Sequence, residues 1–424
     1  MKYENSLVFA TQQDAIDPLK KYRDQFYFPY MNGREVVYFA GNSLGLQPKS
    51  TQDHVLNELE DWATFGVEGQ FHARKPWVNY HEQFAIPLSK IVGAKPEEVV
   101  AMSQLTVNLH LLLISFYRPD KKRYKILCEA QTFPSDQYAL ASQVSFHGFD
   151  PEEAILEVSP RKGEHCIRQE DIFECIEKNK DSLALVMMGG VNYFTGQAFD
   201  MQAITRAAHK VGAFAGFNLA HGAGNISLQL HNWNIDFACW CGYKYLNSGP
   251  GGIAGIFIHE RHVNDRKIHR LAGWWGTDKH SRFKMEKKFA PIPTAEGWQV
   301  SNAPVLLMAA HKASIDLFEE TGMEALIEKS QKLTGYLEFV IDELNREQEH
   351  ALEIITPRDI KQRGCQLSVI PHHTGKDLFN KLVQAGVIVD WREPNVIRCT
   401  PVPFYNSFED VYRFGEILKS ISIL

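Results

Sequence analysis

Long hydrophobic runs are absent from this sequence of 424 residues. Apolar stretches such as Leu109–Tyr117 fall well short of the roughly 18 residues that a membrane-spanning helix needs. The first 20 residues also lack an apolar core followed by small side chains, so we expect no signal peptide. These absences favour a protein that is neither inserted in a membrane nor secreted.

Cysteine is scarce, and its spacing does not match the usual metal or redox motifs. The chain has seven cysteines, and Cys239 and Cys241 form C-x-C instead of the C-x-x-C of zinc and thiol–disulfide sites. We interpret the cysteines as reduced and mostly buried. This interpretation predicts a cytoplasmic protein, and no metal site is expected.

Basic blocks and internal repeats are also missing. Lysine and arginine total 45 against 51 acidic residues, a formal charge of −6, and the 17 histidines are dispersed. A nucleic-acid partner is therefore not expected. The hydrophobic content of 44% and the charged content of 23% are ordinary for a globular protein.

Strand-like and helix-like patterns alternate through the middle of the chain. The predicted strands are Tyr124–Ala130, Ala154–Val158, Leu183–Gly190, Ala213–Asn218 and Ile235–Trp240, and the helices between them include Pro134–Val144, Arg168–Lys178 and Met201–Val211. This order predicts an α/β fold with a mostly parallel sheet flanked by helices. Because ligands bind beyond the carboxyl ends of such strands, the residues that follow each strand are candidates for a site.

The pattern changes after a long helix predicted over Met323–Gln348. Shorter strands and helices follow, ending with a helix over Phe408–Ile421, which predicts a smaller C-terminal α+β domain. We therefore predict an N-terminal arm and substrate loop in residues 1–50, a large ligand-binding domain in 51–324 and a small domain in 325–424.

One lysine stands in a tight connection between two apolar segments. Residues Asp236–Gly252 read DFACWCGYKYLNSGPGG, in which Lys244 is flanked by Tyr243 and Tyr245. The start of this stretch and Ile253–Ile258 after it are both predicted strands. Burial between them would lower the pKa of the lysine toward the neutral amine that forms a Schiff base with a carbonyl compound. An exposed loop lysine is the alternative for this stretch alone.

Three further features are candidates for ligand contacts. The loop Gly41–Pro48 (GNSLGLQP) follows a predicted strand and has two glycines, which let backbone approach a ligand. Residues Ser103–Thr106 precede a helix whose free N–H groups could bind an anion. Arg398, inside a predicted strand, has the guanidinium fork that pairs with a carboxylate. Each also has an ordinary explanation: a turn, a helix cap that binds nothing, or an edge-strand arginine in solvent.

Eight segments, in order along essentially the whole chain, read YFAGNSLGLQP, LTVNLHLLLISF, FPSDQYA, AHGAGN, FACWCGYKYLN, GGIAGIFIHE, GWQVSN and IRCTPVPFYNSF. Together they resemble the kynureninases, enzymes of the aspartate-aminotransferase fold type that use pyridoxal 5'-phosphate (PLP). The resemblance implies hydrolysis of the Cβ–Cγ bond of L-kynurenine or 3-hydroxy-L-kynurenine in tryptophan catabolism. The products would be anthranilate, or its 3-hydroxy form, and L-alanine. It also implies a homodimer with shared active sites.

The resemblance carries roles onto particular residues of this chain. It makes Lys244 the Schiff-base lysine and Tyr243 a phosphate contact that relays protons. The other cofactor contacts that it implies are Leu105 and Thr106 at the phosphate, Phe133 stacked on the pyridine ring, Asp136 close by, Gly189, Asn218, His221 near the ring substituents, and Trp274 and Asn302. The substrate contacts that it implies are Arg398 at the α-carboxylate, with Asn42, Ser43 and Asn302. Trp274 is expected to reach in from a partner subunit.

Two positions depart from the family pattern. The family has Asp-x-Ala-His, in which the aspartate pairs with the protonated pyridine nitrogen, but this chain has Asn218 there. Gly189 stands where some relatives have a serine near the cofactor. The asparagine is expected to affect activity more than fold, because it would touch the ring that withdraws electrons.

Two other functions compete with this one. A cysteine desulfurase or class V aminotransferase would share the fold, but a desulfurase needs a mobile loop cysteine, and Cys365 and Cys399 fall in strand patterns. A PLP-binding protein impaired by Asn218 is the other alternative, which the presence of the lysine, tyrosine and arginine argues against. The sequence does not distinguish kynurenine from 3-hydroxykynurenine as substrate.

Overall fold

A seven-stranded sheet lies at the centre of the larger part of the computed structural model, which describes residues 2–265, 267–347 and 351–421. The strands are β1 (Tyr30–Met31), β2 (Arg34–Glu35), β3 (Val37–Tyr38), β4 (Val99–Ala101), β5 (Lys125–Glu129), β6 (Ile155–Val158), β7 (Leu183–Gly189), β8 (Phe214–Asn218), β9 (Phe237–Trp240), β10 (Gly255–Ile258), β11 (Leu352–Ile354), β12 (Leu367–Pro371), β13 (Val387–Ile388), β14 (Asp390–Arg392) and β15 (Val396–Cys399). The α-helices are α1 (Leu7–Ile16), α2 (Lys20–Arg23), α3 (Thr51–Phe65), α4 (Gly69–His72), α5 (Ala85–Val92), α6 (Leu105–Phe116), α7 (Pro134–Phe146), α8 (Pro151–Ala154), α9 (Gln169–Lys178), α10 (Met201–Lys210), α11 (Glu260–Val263), α12 (Val305–Thr321), α13 (Met323–Glu347), α14 (Lys376–Gln384) and α15 (Phe408–Ser420).

The large sheet has the strand order β4-β10-β9-β8-β7-β5-β6. Strands β5 to β9 pair in parallel, and β10 runs antiparallel to both of its neighbours. Strand β9 is buried at every residue, as expected for a strand covered by helices on both faces. The prediction of a mostly parallel sheet flanked by helices is confirmed. Strand β4 was not predicted, because three residues are too few to show a period.

A second, antiparallel sheet follows in the C-terminal part, with the order β11-β12-β15-β14. It has its own apolar core, which also takes in Phe9 and Phe39 from the start of the chain. Strand β3 pairs in parallel with β13, and α1 packs against α15. The N-terminal arm is therefore built onto the small sheet, although the two are more than 300 positions apart in the sequence.

The same arm brings its following loop to the edge of both sheets. Ala40 forms a parallel bridge with Thr400, just beyond β15. The N–H of Gly45 donates to the carbonyl of Tyr243 at 2.9 Å. Asn42 and Ser43 are thereby held between the small sheet and the connection that contains the candidate lysine.

Helix α13 has 25 residues and follows α12 after a single glycine. The sequence predicted its end at Gln348, which lies outside the described residues. Across the three described ranges, no helix combines the length and the apolar character that crossing a membrane requires.

Candidate active site

The connection between β9 and β10 lies beyond the end of parallel strand β9. Its backbone is tightly folded: a Cβ on Gly242 would lie 2.2 Å from the carbonyl oxygen of Ile253, so only glycine fits. Asn247 has a positive φ of 47°, which asparagine tolerates better than most residues. The loop holds Lys244 at the carboxyl edge of the sheet, where the sequence analysis expected it.

The Lys244 amine lies in an environment that disfavours its charge. Its Nζ is 2.9 Å from Nε2 of His221. Burial lowers the pKa of Lys244; the positive charge of Arg398 adds to this effect, and Cys241 and Asp136 oppose it. The pKa of buried His221 is also well below its usual range, chiefly through burial and then through the charge of Lys244. An amine of depressed pKa beside a neutral imidazole is suited to act as a nucleophile toward a carbonyl carbon.

Two aromatic rings flank the amine at equal distance. Nζ of Lys244 is 5.9 Å from the centroid of Phe133 and 5.9 Å from that of Tyr243. Phe133 is 40% exposed, and its ring meets Tyr193 edge-on at 5.3 Å. The Phe133 ring can therefore stack on a flat ligand that is joined to the amine.

A carboxylate and an amide form a buried pair on the far side of this space. Nδ2 of Asn218 donates to Oδ2 of Asp136 at 2.6 Å, and Oδ1 of Asn218 accepts from the N–H of Ala220 at 2.9 Å. These two bonds fix which way the amide points. Oδ1 of Asp136 is buried and has no partner among the described residues. Burial raises the pKa of Asp136 to about 6, while Asn218 and Lys244 oppose the rise.

The N-termini of α6 and α7 meet beside the same space. Gln104 precedes α6 without a side-chain cap, so the first N–H groups of the helix, including those of Leu105 and Thr106, have no capping side chain. Oγ1 of Thr106 and Oγ of Ser135 are 2.6 Å apart. This arrangement suits an anion such as a phosphate. Ser135 lies in the stretch after a predicted strand that was a candidate for the site, but no role of its own was predicted from the sequence.

Gly189 contributes its backbone to a neighbouring carboxylate. Its N–H donates to Oε1 and Oε2 of Glu129 at 3.0 and 3.1 Å. A Cβ on Gly189 would come within 2.8 Å of Glu129 Oε1, so a serine here would require this side chain to shift. Burial raises the pKa of Glu129 to about 7.

Arg398 lies inside β15 and is only 1% exposed. Its guanidinium contacts Asp390, the carbonyl of Tyr193 and the hydroxyl of Ser43. The amide of Asn42 is 3.1 Å from Arg398 Nε. The arginine is therefore in an ion pair within the protein rather than in solvent. Tyr193 lies in a stretch after a predicted strand that was a candidate for the site, but its contact with Arg398, like that of Asp390, was not predicted.

Trp274 and Asn302 lie apart from these residues within one chain. The Trp274 side chain is 50% exposed, and its indole N–H donates to the carbonyl of Arg282 at 3.2 Å. Asn302 is exposed. Among the described residues, no hydrogen bond or ring contact joins either one to Lys244 or Phe133. Within one chain, the structure therefore does not bring Trp274 or Asn302 to the predicted site.

The two cysteines weighed for a desulfurase are both rigidly held. Strand β12 begins at Leu367, so the prediction that Cys365 lies in a strand was wrong; its N–H instead donates to Oδ1 of Asn225 at 2.9 Å. Cys399 lies within β15 as predicted. Both are 1% exposed, so neither is a mobile loop cysteine.

PLP has three parts that this site can be tested against: an aldehyde, a pyridine ring with a basic nitrogen, and a phosphate. Lys244 offers an amine, the Phe133 face offers a stacking surface, and α6 offers uncapped N–H groups. The buried and unpartnered Oδ1 of Asp136 offers an acceptor for a protonated nitrogen. The residues present fit the cofactor.

Comparison with solved structures finds the same fold in other enzymes. An apo cysteine desulfurase from Thermococcus onnurineus superposes with a TM-score of 0.74 at 18% identity, covering 91% of this chain and 94% of that one. The cystine C–S lyase C-DES, in complex with its product cysteine persulfide, superposes with a TM-score of 0.77 at 14% identity, covering 91% and 97%. At these identities the likeness shows the fold alone.

Comparison of sequences is more specific. The family model described as the kynureninase C-terminal domain matches residues 326–418. A kynureninase of Flavobacterium psychrophilum is 58% identical over 419 residues, 99% of this chain and 99% of the relative. Kynureninases of Myxococcus xanthus and Nematostella vectensis are 55% and 47% identical, over 98% and 97% of this chain and 97% and 93% of their own lengths. With identity this high along nearly the full length of both partners, the chain belongs to the kynureninase family.

Proposed function

We propose that this protein is a PLP-dependent hydrolase that cleaves the Cβ–Cγ bond of L-kynurenine or 3-hydroxy-L-kynurenine in tryptophan catabolism. The observation that carries the proposal is the buried Lys244 amine, 2.9 Å from neutral His221 and close to the carboxylate of Asp136. Membership of the kynureninase family supports the choice of substrate. The aldehyde of PLP would join Lys244, with its phosphate at Leu105 and Thr106.

When bound, PLP withdraws electrons and so stabilises negative charge at the α-carbon of an attached amino acid. Lys244 would take the proton from that carbon, and burial, which lowers its pKa, favours the neutral amine needed for this. Asp136, whose buried Oδ1 has no partner among the described residues, would hold the ring nitrogen and favour its protonated form. Arg398 binds the substrate carboxylate and thereby orients the α-C–H bond.

Tyr243 is the proposed proton donor and acceptor of the later steps. Burial raises the pKa of its hydroxyl to about 12, with Cys241 adding to the rise, so the phenol is protonated at neutral pH. Water adds its oxygen to the γ-carbonyl carbon, and the Cβ–Cγ bond then breaks. The aryl carboxylic acid leaves, Cβ takes up one proton to become a methyl group, and Lys244 returns its proton to Cα, which completes L-alanine. A protonated phenol is suited to deliver the proton to Cβ.

The proposal is tested with purified protein loaded with PLP. Kynurenine and 3-hydroxykynurenine are supplied in turn, and the fluorescence of the released anthranilate or 3-hydroxyanthranilate is followed together with alanine formation. We expect turnover of at least one substrate, with equal amounts of both products. PLP binding without either product would overturn the proposed reaction.

We also propose a cytoplasmic homodimer in which Trp274 reaches the active site of the partner subunit. The half-exposed Trp274 ring and the exposed Asn302 support this, since neither meets Lys244 within one chain. The cysteines, all of them free thiols, agree with a reducing compartment. The division into an arm and substrate loop (1–50), a large PLP-binding domain (51–324) and a small domain (325–424) remains a proposal.

Subunit mixing tests the shared site. Lys244→Ala and Trp274→Ala subunits, each with little activity alone, are expected to regain activity when mixed, because a mixed dimer has one site with both residues intact. In a two-fold dimer, random exchange makes about half of the dimers mixed, and each mixed dimer has one intact site out of two. Recovery should therefore approach about a quarter of wild-type activity. Activity is measured after exchange has been verified by mass spectrometry. No recovery despite exchange would place Trp274 in its own subunit's site.

A further inference from the structure

Strands β14 and β15 place three charged side chains on one face of the small sheet. Asp390 lies directly opposite Arg398 in the antiparallel pairing, and Arg392 follows two residues later on the same strand. Because side chains alternate between faces, Asp390 and Arg392 share a face, and Trp391 points away, toward Phe379 at a ring distance of 6.1 Å. The charged face is turned toward the loop with Ser43.

The carboxylate of Asp390 contacts one edge of the Arg398 guanidinium. Its Oδ1 is 3.2 Å from Nε and 2.9 Å from Nη2 of Arg398. Nη1 donates to the Tyr193 carbonyl at 2.8 Å, and Nη2 also donates to Ser43 Oγ at 3.1 Å. The Nε edge is thus filled by protein. Nη2 contacts both Asp390 and Ser43, and of the five N–H bonds the one without a partner among the described residues is on Nη1, so Nη1 is the donor left open for a ligand oxygen.

The same carboxylate also pairs with Arg392. Arg392 Nε is 3.0 Å from Asp390 Oδ1, and its Nη2 donates to Oδ2 at 3.1 Å. The Ser43 hydroxyl donates to Oδ2 as well. Burial is the largest cause of the lowered pKa of Lys244, and the positive charges of Arg398 and Arg392 lower it further. Both arginines are therefore electrostatically part of the active site.

Two arginines and one carboxylate leave the cluster with a net charge of +1. That charge matches an amino acid whose only anionic group is its α-carboxylate. Without Asp390, the charges of Arg398 and Arg392 would lose their shared counter-ion, and Arg398 would lose the carboxylate that contacts its Nε edge.

We propose that Asp390 is a positioning residue, which holds Arg398 by its Nε edge so that the opposite end receives the α-carboxylate of the substrate. The inference rests on the proposed assignment of Arg398 to that carboxylate. It does not require the hydrolytic step itself, so it can be tested by binding alone.

The test compares L-alanine with L-alaninamide, which lacks the carboxylate charge. Each is titrated into the PLP-loaded protein, and binding is followed by the visible absorbance of the cofactor. We expect wild type to prefer alanine, and Asp390→Asn to reduce that preference by about tenfold or more, the effect of one charge-assisted hydrogen bond. Binding of alaninamide should change little. The matched control is Asp342→Asn, which removes an aspartate that accepts two bonds from Arg358 on the exposed surface of the same part of the chain.

A double-mutant cycle separates positioning from a merely structural role. In an Arg398→Ala background, Asp390→Asn should cause no further loss of preference, because the residue through which it acts is gone. Additive losses, or a wild-type preference in a folded Asp390→Asn protein, would overturn the proposal. If Asp390→Asn does not fold, Asp390→Ser serves for the same comparison. If the wild-type protein prefers alanine to alaninamide but yields no anthranilate, the proposed reaction is refuted and the Asp390 comparison stays valid. If the wild-type protein shows no such preference, both the Arg398 assignment and this inference are refuted.

Discussion

Replacing Lys244 with alanine is expected to abolish covalent attachment of PLP and to lower kcat by at least about a thousandfold, within the range for loss of an acid–base group. The amine is held between β9 and β10, with its pKa lowered first by burial. The role of attachment point proposed for Lys244 cannot pass to His221, whose imidazole has no primary amine. Reduction with borohydride, digestion and mass spectrometry locate the pyridoxyl label in wild type, and steady-state kinetics give kcat.

Lys180→Ala is the matched control for the lysine substitution. Lys180 is exposed, pairs with Glu177 and lies outside the site, so this variant should keep the label and the activity. A pyridoxyl label found on a lysine other than Lys244 in the wild-type protein would show that the assignment is wrong.

The second large effect is expected at Asp136. Asp136→Asn should lower kcat by about a hundredfold, because it removes a charged hydrogen bond of about 3 kcal/mol at the ring nitrogen, and each tenfold in rate corresponds to about 1.4 kcal/mol. Asn218 cannot compensate: its Oδ1 already accepts from Ala220, and its Nδ2 points at Asp136. The Asp136→Asn variant has asparagine at both positions, so the ring nitrogen would have no carboxylate partner among the residues described here.

A pH profile provides an independent readout of Asp136. Burial raises the pKa of this carboxyl to about 6, so the group is charged above that pH and neutral below it. PLP affinity of the wild type should therefore fall as the pH drops through about 6. Asp136→Asn has no group to titrate there, so the difference between the two profiles isolates the carboxylate. Identical profiles would mean that Asp136 does not face the cofactor.

Asn218→Asp is the informative companion. Two carboxylates at the 2.6 Å separation of the present amide–carboxylate pair would share one proton, and the pair would then have a single negative charge, as Asp136 has now. We therefore expect this substitution to change kcat far less than Asp136→Asn does. A loss as large as that of Asp136→Asn would contradict a shared-proton pair.

Much of the architecture follows from local patterns. The apolar segments ending at Asn218 and Trp240 are strands because their residues can be buried on both faces, and the helices between strands follow from their own periodicity. Lys244 became a candidate from a turn cluster next to a predicted strand, but that local signal also fitted an exposed loop lysine, and only the resemblance over the whole chain assigned its role. The order of eight long segments also identified the family, which the comparisons confirm.

The contacts that give the site its electrostatics are not local. Asn218 and Asp136 are 82 positions apart, and Ser43 and Asp390 are 347 apart. The sequence around Asp136 does not indicate that one of its oxygens lacks a hydrogen-bond partner. Nor does the sequence around Arg398 indicate that its guanidinium is in an ion pair with Asp390. A sequence period shows which face of a strand is buried, but the register of β14 against β15 decides which residue stands opposite Arg398. The sequence could therefore single out the lysine, the aromatic ring and the arginine as candidates, and only the packing of the arm, the two sheets and their loops determined their partners and their charge.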